Sequence, residues 1–441
     1  MAKTTLTFLR LCADALLLGA GGARAELGDG DVLGPDTWQQ AEGLLPAEIL
    51  EHYRRGEYVN TVLDIDRPGY LSTALPADFQ AASKENRGRY ALDEAGTIID
   101  PATGRQPAFI LGSPFPDIDP ADPQAAIKII WNHFYVNWYN GGAHLITDVV
   151  MLNRHGVERS LRTEVWMRAY DGAPEARGQP NSQNLALQTL ARVTRPADLE
   201  GIVSLTWRYR DARKPDSLWT YVPGVRRVRQ VSPLNRSDGF MGSDLSLDDG
   251  PFFDGKPEDF TFRLLGAREQ LVLVDPYSLR GESEVVPAPG GGWRIVWKDV
   301  PRIGADLPGW TGVPWAPVSA ALARRKVWMV EAVPKDPNYL FGRMVLSFDA
   351  ATFHGGYATK YDRADSPMLS YQVSRGAYAS PEGGQSGVPV SGVVVRTAEN
   401  LLYGRATVVL FPPRNPHNPS DFRVDLPRSL FSVDALMRAG K

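Results

Sequence analysis

Cysteine is almost missing from this sequence: Cys12 is the only one in 441 residues. It falls in an N-terminal stretch with the marks of an export leader, so the mature chain is expected to hold no thiol and no disulfide. That excludes catalytic cysteine chemistry and thiolate metal sites. An excess of one charge is also missing. Lys and Arg number 48 and Asp and Glu 51, a net charge of -3, which excludes a chain-wide basic surface for nucleic acid. Outside the leader no stretch approaches the ~20 apolar residues that a membrane-spanning helix needs. There is no G-x-S-x-G elbow and no H-E-x-x-H zinc helix, and the glycine runs lack the lysine and hydroxyl of a phosphate-binding loop. His133, His144 and His155 stand eleven residues apart, a spacing that matches no metal site. No cofactor and no metal are therefore expected, and the chain reads as non-enzymatic. A secreted hydrolase stays open as an alternative, through a serine set assembled in space or a carboxylate pair such as Glu164 with Asp259.

What is present begins with the address. Lys3 and Arg10 give a positive start, LCADALLLGA at 11–20 is mostly apolar, and Ala23–Arg24–Ala25 forms a small-x-small site. This pattern predicts cleavage after Ala25 and residence in the periplasm. Residues 1–25 are then a signal peptide and 26–441 a single domain, with irregular N-terminal wrapping over 26–122 and a sheet-rich body over 160–441.

The wrapping is rich in Pro, Gly, Ala and Asp, with helical turns expected at 37–44 and 46–54. Pro123 to about Tyr139 predicts a helix whose apolar stripe is Ala126, Ile129, Ile130, Phe134 and Trp138. From 160 the period changes to two: Leu161, Thr163, Val165 and Met167 face one way, Arg162, Glu164, Trp166 and Arg168 the other. Strands are expected at 201–209, 217–224, 226–231, 259–265, 269–274, 294–298, 325–333, 341–349, 357–361, 369–373 and 401–410. Glycine-rich breaks fall at 286–292 and 376–391. The short connections lack crossover helices, which predicts one large antiparallel sheet in a mainly β chain with helices (α+β).

These strands are rich in aromatics. A sheet covered by helices on one face, with an apolar groove beneath them, could hold an acyl chain at ~0.8 kcal/mol per buried methylene; the same side chains could equally fill an ordinary core. Trp219 and Trp328 are the candidate sheet-face contacts, and Trp131 and Phe134 the candidate contacts from the helical cover. Arg226 and Arg227, in the basic run RRVRQ, are candidates for an entrance that favours anionic groups. The loop 238–259 carries Asp238, Asp244, Asp248, Asp249 and Asp254, and its spacing does not match the twelve-residue calcium loop.

The order of local patterns resembles the family called domain of unknown function 1329, exported bacterial proteins often described as relatives of outer-membrane lipoprotein-sorting proteins. The resembling stretches are SPFPDIDPADPQAAIKIIWNHFYVNWYNGG at 113–142, SLWTYVPGVRRVRQVSP at 217–233, DFTFRLLGAREQLVLVDPYS at 259–278 and ARRKVWMVEAVPKDPNYLFGRMVLSFDAATF at 323–353. The resemblance implies a large curved antiparallel sheet with helices across its concave face, similar to periplasmic lipoprotein carriers. It implies a binding, carrier or accessory role for a lipid or other hydrophobic molecule, alongside a membrane transporter complex. It brings no catalytic set. A protein-binding scaffold that pairs through its edge strands is the remaining rival.

Overall fold

The computed structural model describes residues 26–232, 236–378, 390–411 and 418–440. The expected leader, 1–25, and most of the second glycine-rich break lie outside the described residues.

The N-terminal wrapping carries β1 (Val32–Leu33), α1 (Ala47–Arg54), β2 (Asn60–Leu63), α2 (Ala77–Glu85) and a small hairpin of β3 (Ala91–Leu92) with β4 (Ile98–Ile99). Pro46 and Pro76 stand immediately before α1 and α2, where a missing N–H costs no helical hydrogen bond. The helix expected from Pro123 is α3 (Ala125–Trp138). Only Ile127, Lys128 and Asn137 escape burial on it, so it is a core helix enclosed on nearly every side rather than a stripe-faced cover.

Two meanders build the sheet. The first runs β5 (Ala143–Asn153), β6 (Gly156–Ala169), β7 (Leu185–Arg195), β8 (Val203–Tyr209), β9 (Ser217–Val222) and β10 (Arg227–Val231), each antiparallel to the last. The second starts at β11 (Phe260–Val274). After α4 (Pro276–Leu279), β12 (Glu284–Pro287) and β13 (Trp293–Val296), it continues through β14 (Ala321–Pro334), β15 (Arg343–Asp349), β16 (Gly355–Tyr361), β17 (Pro367–Tyr378), β18 (Val390–Asn400) and β19 (Arg405–Leu410). β11 pairs with β14, and the order then follows the chain to β19, which pairs with β5 and joins the meanders. The short strand β20 (Ser420–Phe422) bridges β5 and β13, and α5 (Val433–Ala439) follows it.

The sheet is mixed at two points: β14 runs parallel to β2, and Val274 of β11 forms one parallel bridge with Arg375 of β17. That bridge closes β11, β14, β15, β16 and β17 into a ring. The strands expected at 259–265 and 269–274 are one strand, β11. Its register shifts between Leu264 and Gly266, and Gly266 has φ 121°, a conformation that suits glycine at a bulge.

Both faces of the central strands are covered. Val149, Val409, Leu346, Phe348 and Tyr371 face α3 in one core. Val150, Leu152, Val408 and Leu410 face a second core with Tyr53, Tyr58 and Trp315, built by α1 and the 303–316 loop. Neighbours such as Val149 and Val150 therefore enter different cores, as a period of two requires.

Candidate functional site

At the C-terminal end of α3 the packing is incomplete. A chamber of about 90 Å³ lies between that helix end (Val136, Tyr139), the end of β11 (Val272–Val274), Leu279 of α4, Val327 of β14, the β15–β16 corner and Val373–Ala377 of β17. Its remaining wall is the non-helical stretch 65–76. The same stretch also borders a mouth of about 500 Å³, bounded by Asp66, Arg67, Tyr70 and Gln80. Ile65, Ser72–Leu75, Arg325 and Thr352 line both spaces, so chamber and mouth share a partition. That partition is held by the Leu71 amide, which donates to the Leu279 carbonyl at 2.6 Å, by Ile65, Tyr70 and Leu71 packed with Val274 and Leu279, and by Arg67, which pairs with Asp29 and Asp64 at the surface.

The β15–β16 corner is built by Asp349. Its Oδ1 accepts the amides of Ala351 and Thr352 at 2.9 and 2.8 Å. Its own amide and carbonyl bond the His354 carbonyl and the Phe353 amide, both at 2.8 Å. Phe353 closes the corner with φ 58°, an uncommon conformation for a bulky side chain, and it stays there because the ring is buried in the core. His133 of α3 hydrogen-bonds the Phe353 carbonyl through Nδ1 at 3.0 Å. The corner thus sets His354 against the chamber.

The charged groups here are unequal. Arg325 holds Asp349 at 2.7 and 3.5 Å and reaches Asp66 at 3.6 Å. Among the described residues the Arg375 side chain makes one hydrogen bond, from Nε to the Gly355 carbonyl at 3.3 Å, and its Nη2 is buried without a partner. Burial lowers the Arg375 guanidinium to about 10, against smaller opposing effects of Tyr371 and Asp349 and with help from Arg396. Burial, then the Arg375 charge, pushes His133 down to about 3. Burial, Arg375 and His133 together hold His354 well below the usual imidazole range. Both histidines are therefore neutral at pH 7.

The sequence-derived candidates lie elsewhere. Trp131 and Phe134 are buried, and Trp131 donates Nε1–H to the Gly96 carbonyl at 2.8 Å. The space beside them, shared with Arg208, Arg210 and Glu258, is about 20 Å³, too small for an acyl chain. Trp219 stacks edge-on against Trp207 at 5.1 Å under α5, and Trp328 packs on the main core. Arg226, with φ 53°, is exposed in the β9–β10 turn, and Arg227 is exposed at the start of β10. None of the six lines the chamber.

The acidic loop is an ion-pairing loop. Asp244 pairs with Arg405, Asp248 and Asp254 with Arg236, Asp254 also with Arg208, and Asp249 with Lys360. Glu164 is held by His144 and Arg192, and neither it nor Asp259 lines the chamber.

Sequence reading missed Arg375, His354, Arg325 and the partition 65–76. The one available signal was a lone arginine between Ser374 and Gly376 at the end of an apolar strand.

A sequence model of the family described as a protein of unknown function, DUF1329, matches residues 49–288. No curated protein matches the chain. Solved structures also match the chain, three of them as follows. One, described as a candidate outer membrane lipoprotein-sorting protein domain from Vibrio parahaemolyticus, is 15% identical, covers 72% of this chain and 100% of its own, and has a TM-score of 0.46. A DUF1329 family protein from Desulfovibrio piger is 16% identical with the same coverages and a TM-score of 0.46. A LolA superfamily protein from Nitrosomonas europaea is 12% identical, covers 70% of this chain and 98% of its own, and has a TM-score of 0.40.

Proposed function

Since the chain belongs to the DUF1329 family of proteins of unknown function, a family without an assigned reaction, we propose from its own geometry that it is a non-enzymatic carrier or accessory protein for a lipid or other hydrophobic molecule. The observation that supports this is the chamber behind the partition 65–76, walled by Val136, Val272, Val274, Leu279, Val327 and Val373. An apolar space that a non-helical stretch divides from a wider mouth suits a greasy guest.

Size sets the mechanism. A cavity of about 150 Å³ holds benzene, so a chamber of about 90 Å³ admits an acyl chain only when the partition swings outward and chamber and mouth merge. Burying ten methylenes would then contribute on the order of 8 kcal/mol, comparable to the cost of association, so the methylenes of a longer chain supply the net affinity. In this reading the leader 1–25 delivers the chain to the periplasm, and a membrane transporter complex supplies or receives the guest.

Native mass spectrometry after gentle purification tests the reading. A lipid-sized adduct lost on organic extraction is expected, together with saturable binding of a fluorescent fatty-acyl probe that extracted membrane lipid displaces. Absence of binding across several lipid classes at micromolar protein would overturn it.

A further inference from the structure

Resting on that reading, we propose that the chamber selects anionic amphiphiles: the guanidinium of Arg375 receives a carboxylate or phosphate oxygen at the head of an apolar chain, and the chain trails toward the mouth.

The backbone of Arg375 is fixed at the point where the five-strand ring closes. It bridges Val274, and its carbonyl accepts the Asp275 amide at 2.8 Å. A guanidinium carries five N–H donors in a planar fork suited to an oxyanion. This one gives a single long bond to the Gly355 carbonyl, and Nη2 is buried without a partner. Among the described residues no carboxylate lies within ion-pair distance of it. Asp349 is a carboxylate whose charge is felt there, and its oxygens are committed to Arg325 and to the Ala351 and Thr352 amides. The other polar neighbours are the Tyr371 hydroxyl, which donates to the Asp249 carbonyl at 3.0 Å, cationic Arg396 and the neutral imidazoles of His133 and His354. A partly buried cation without a counter-ion is costly to keep, and in an apolar chamber it is the arrangement expected where a ligand brings the missing charge.

Position sets the direction of binding. Arg325 and Thr352 line both chamber and mouth, whereas Arg375, His354 and Gly356 line the chamber alone. The anionic head therefore goes in first, past the paired Arg325. His354 lines the same space as a neutral imidazole, able to donate one N–H to the same group.

The test measures displacement of a neutral fluorescent acyl probe by oleate, methyl oleate, oleyl alcohol, phosphatidic acid and inorganic phosphate. Wild-type protein is expected to prefer oleate over its methyl ester and alcohol by at least tenfold. Phosphatidic acid separates a lipid phosphate from a carboxylate: whichever of the two binds tighter identifies the head. Arg375→Met should equalise oleate and methyl oleate while still binding the neutral probe, and Arg375→Lys should keep part of the preference. Equal affinity for oleate and methyl oleate in wild type overturns the anion assignment even if no variant folds. So does an unchanged preference in Arg375→Met. Displacement by inorganic phosphate as effective as by oleate overturns the requirement for a chain. Failure of every amphiphile, neutral ones included, overturns the carrier reading instead, so the two failures are distinguishable.

Discussion

Arg325 grips Asp349 through two hydrogen bonds, at 2.7 and 3.5 Å, where the mouth meets the chamber. Both side chains are about one-sixth exposed or less, so the pair is screened less than a surface ion pair and yet not deeply desolvated. Asp349 also builds the corner that carries His354. Asp349→Ala is expected to lower stability by about 2–4 kcal/mol, since it removes the ion pair and leaves the Ala351 and Thr352 amides without their acceptor. Arg325→Met, which leaves the corner intact, should cost about 1 kcal/mol or less. Urea unfolding of the two variants checks this order, and equal losses would show that the corner does not depend on Asp349.

Gly356 offers a way to fill the chamber without disturbing the sheet. A Cβ built there meets nothing closer than the Ser347 Oγ and a Val272 methyl, both at 3.5 Å, which is ordinary contact. At its neighbour Gly355 the same atom would strike the Phe252 ring at 1.8 Å. Gly356→Leu should therefore leave the urea midpoint near wild type and reduce acyl-probe binding at least tenfold. Gly355→Ala should unfold at markedly lower denaturant, by about 2 kcal/mol or more, because overpacked cores push rings off their rotamers. Full probe binding by Gly356→Leu would place the guest elsewhere.

The core helix was legible from Ala126, Ile129, Ile130, Phe134 and Trp138, and most strands were legible where one face is wetter than the other. β5, β7 and β18 were missed because both of their faces are covered: AHLITDVVMLN at 143–153 sends Val149 and Val150 into different cores, which erases the alternation that marks a half-buried strand. Burial also hid the difference between filled and empty space. Trp131 and Phe134 look like a cover in sequence and are packed in the main core, with a space of about 20 Å³ beside them. The chamber draws its wall from stretches as distant as Ile65, Val136, Val274 and Arg375, which only the fold brings together.

Asp216 sits between two arginines. Its Oδ2 accepts from Arg208 at 3.0 Å and from Arg236 at 3.1 Å, and it is almost wholly buried. Burial alone would raise this carboxyl, and the two guanidinium charges outweigh that and lower it. Asp216→Asn removes the carboxylate that both guanidinium groups share beneath the β8–β9 connection and leaves Asp248 and Asp254 to hold them; it should cost about 2–3 kcal/mol, as losing hydrogen bonds between charged groups does. Asp211→Asn, at the exposed end of the same connection, should change stability by less than about 0.5 kcal/mol. Thermal unfolding of both variants measures the contrast.

His52 and His133 make opposite demands on pH. His52 lies between Glu399 and Glu57, each at 2.7 Å, and pins α1 to β18. Burial opposes its charge, but the bonds and charges of Glu399 and then Glu57 outweigh it, so its folded pKa is raised. Its contribution is fully present below the unfolded value near 6.5 and is lost as pH rises through the folded pKa. His133, buried among Phe134, Phe252 and Phe348, is pushed down to about 3 by burial and then by Arg375. Its contribution is present above about 6.5 and is lost as pH falls toward 3, amounting to roughly 3 kcal/mol by pH 4. His354 shifts in the same direction and adds to that loss. Stability measured by urea unfolding should therefore fall on both sides of neutrality. His52→Gln should flatten the alkaline limb, and His133→Asn should flatten the acid limb, each leaving the other limb in place. An acid limb of unchanged slope in His133→Asn would mean that this histidine is already protonated in the native core.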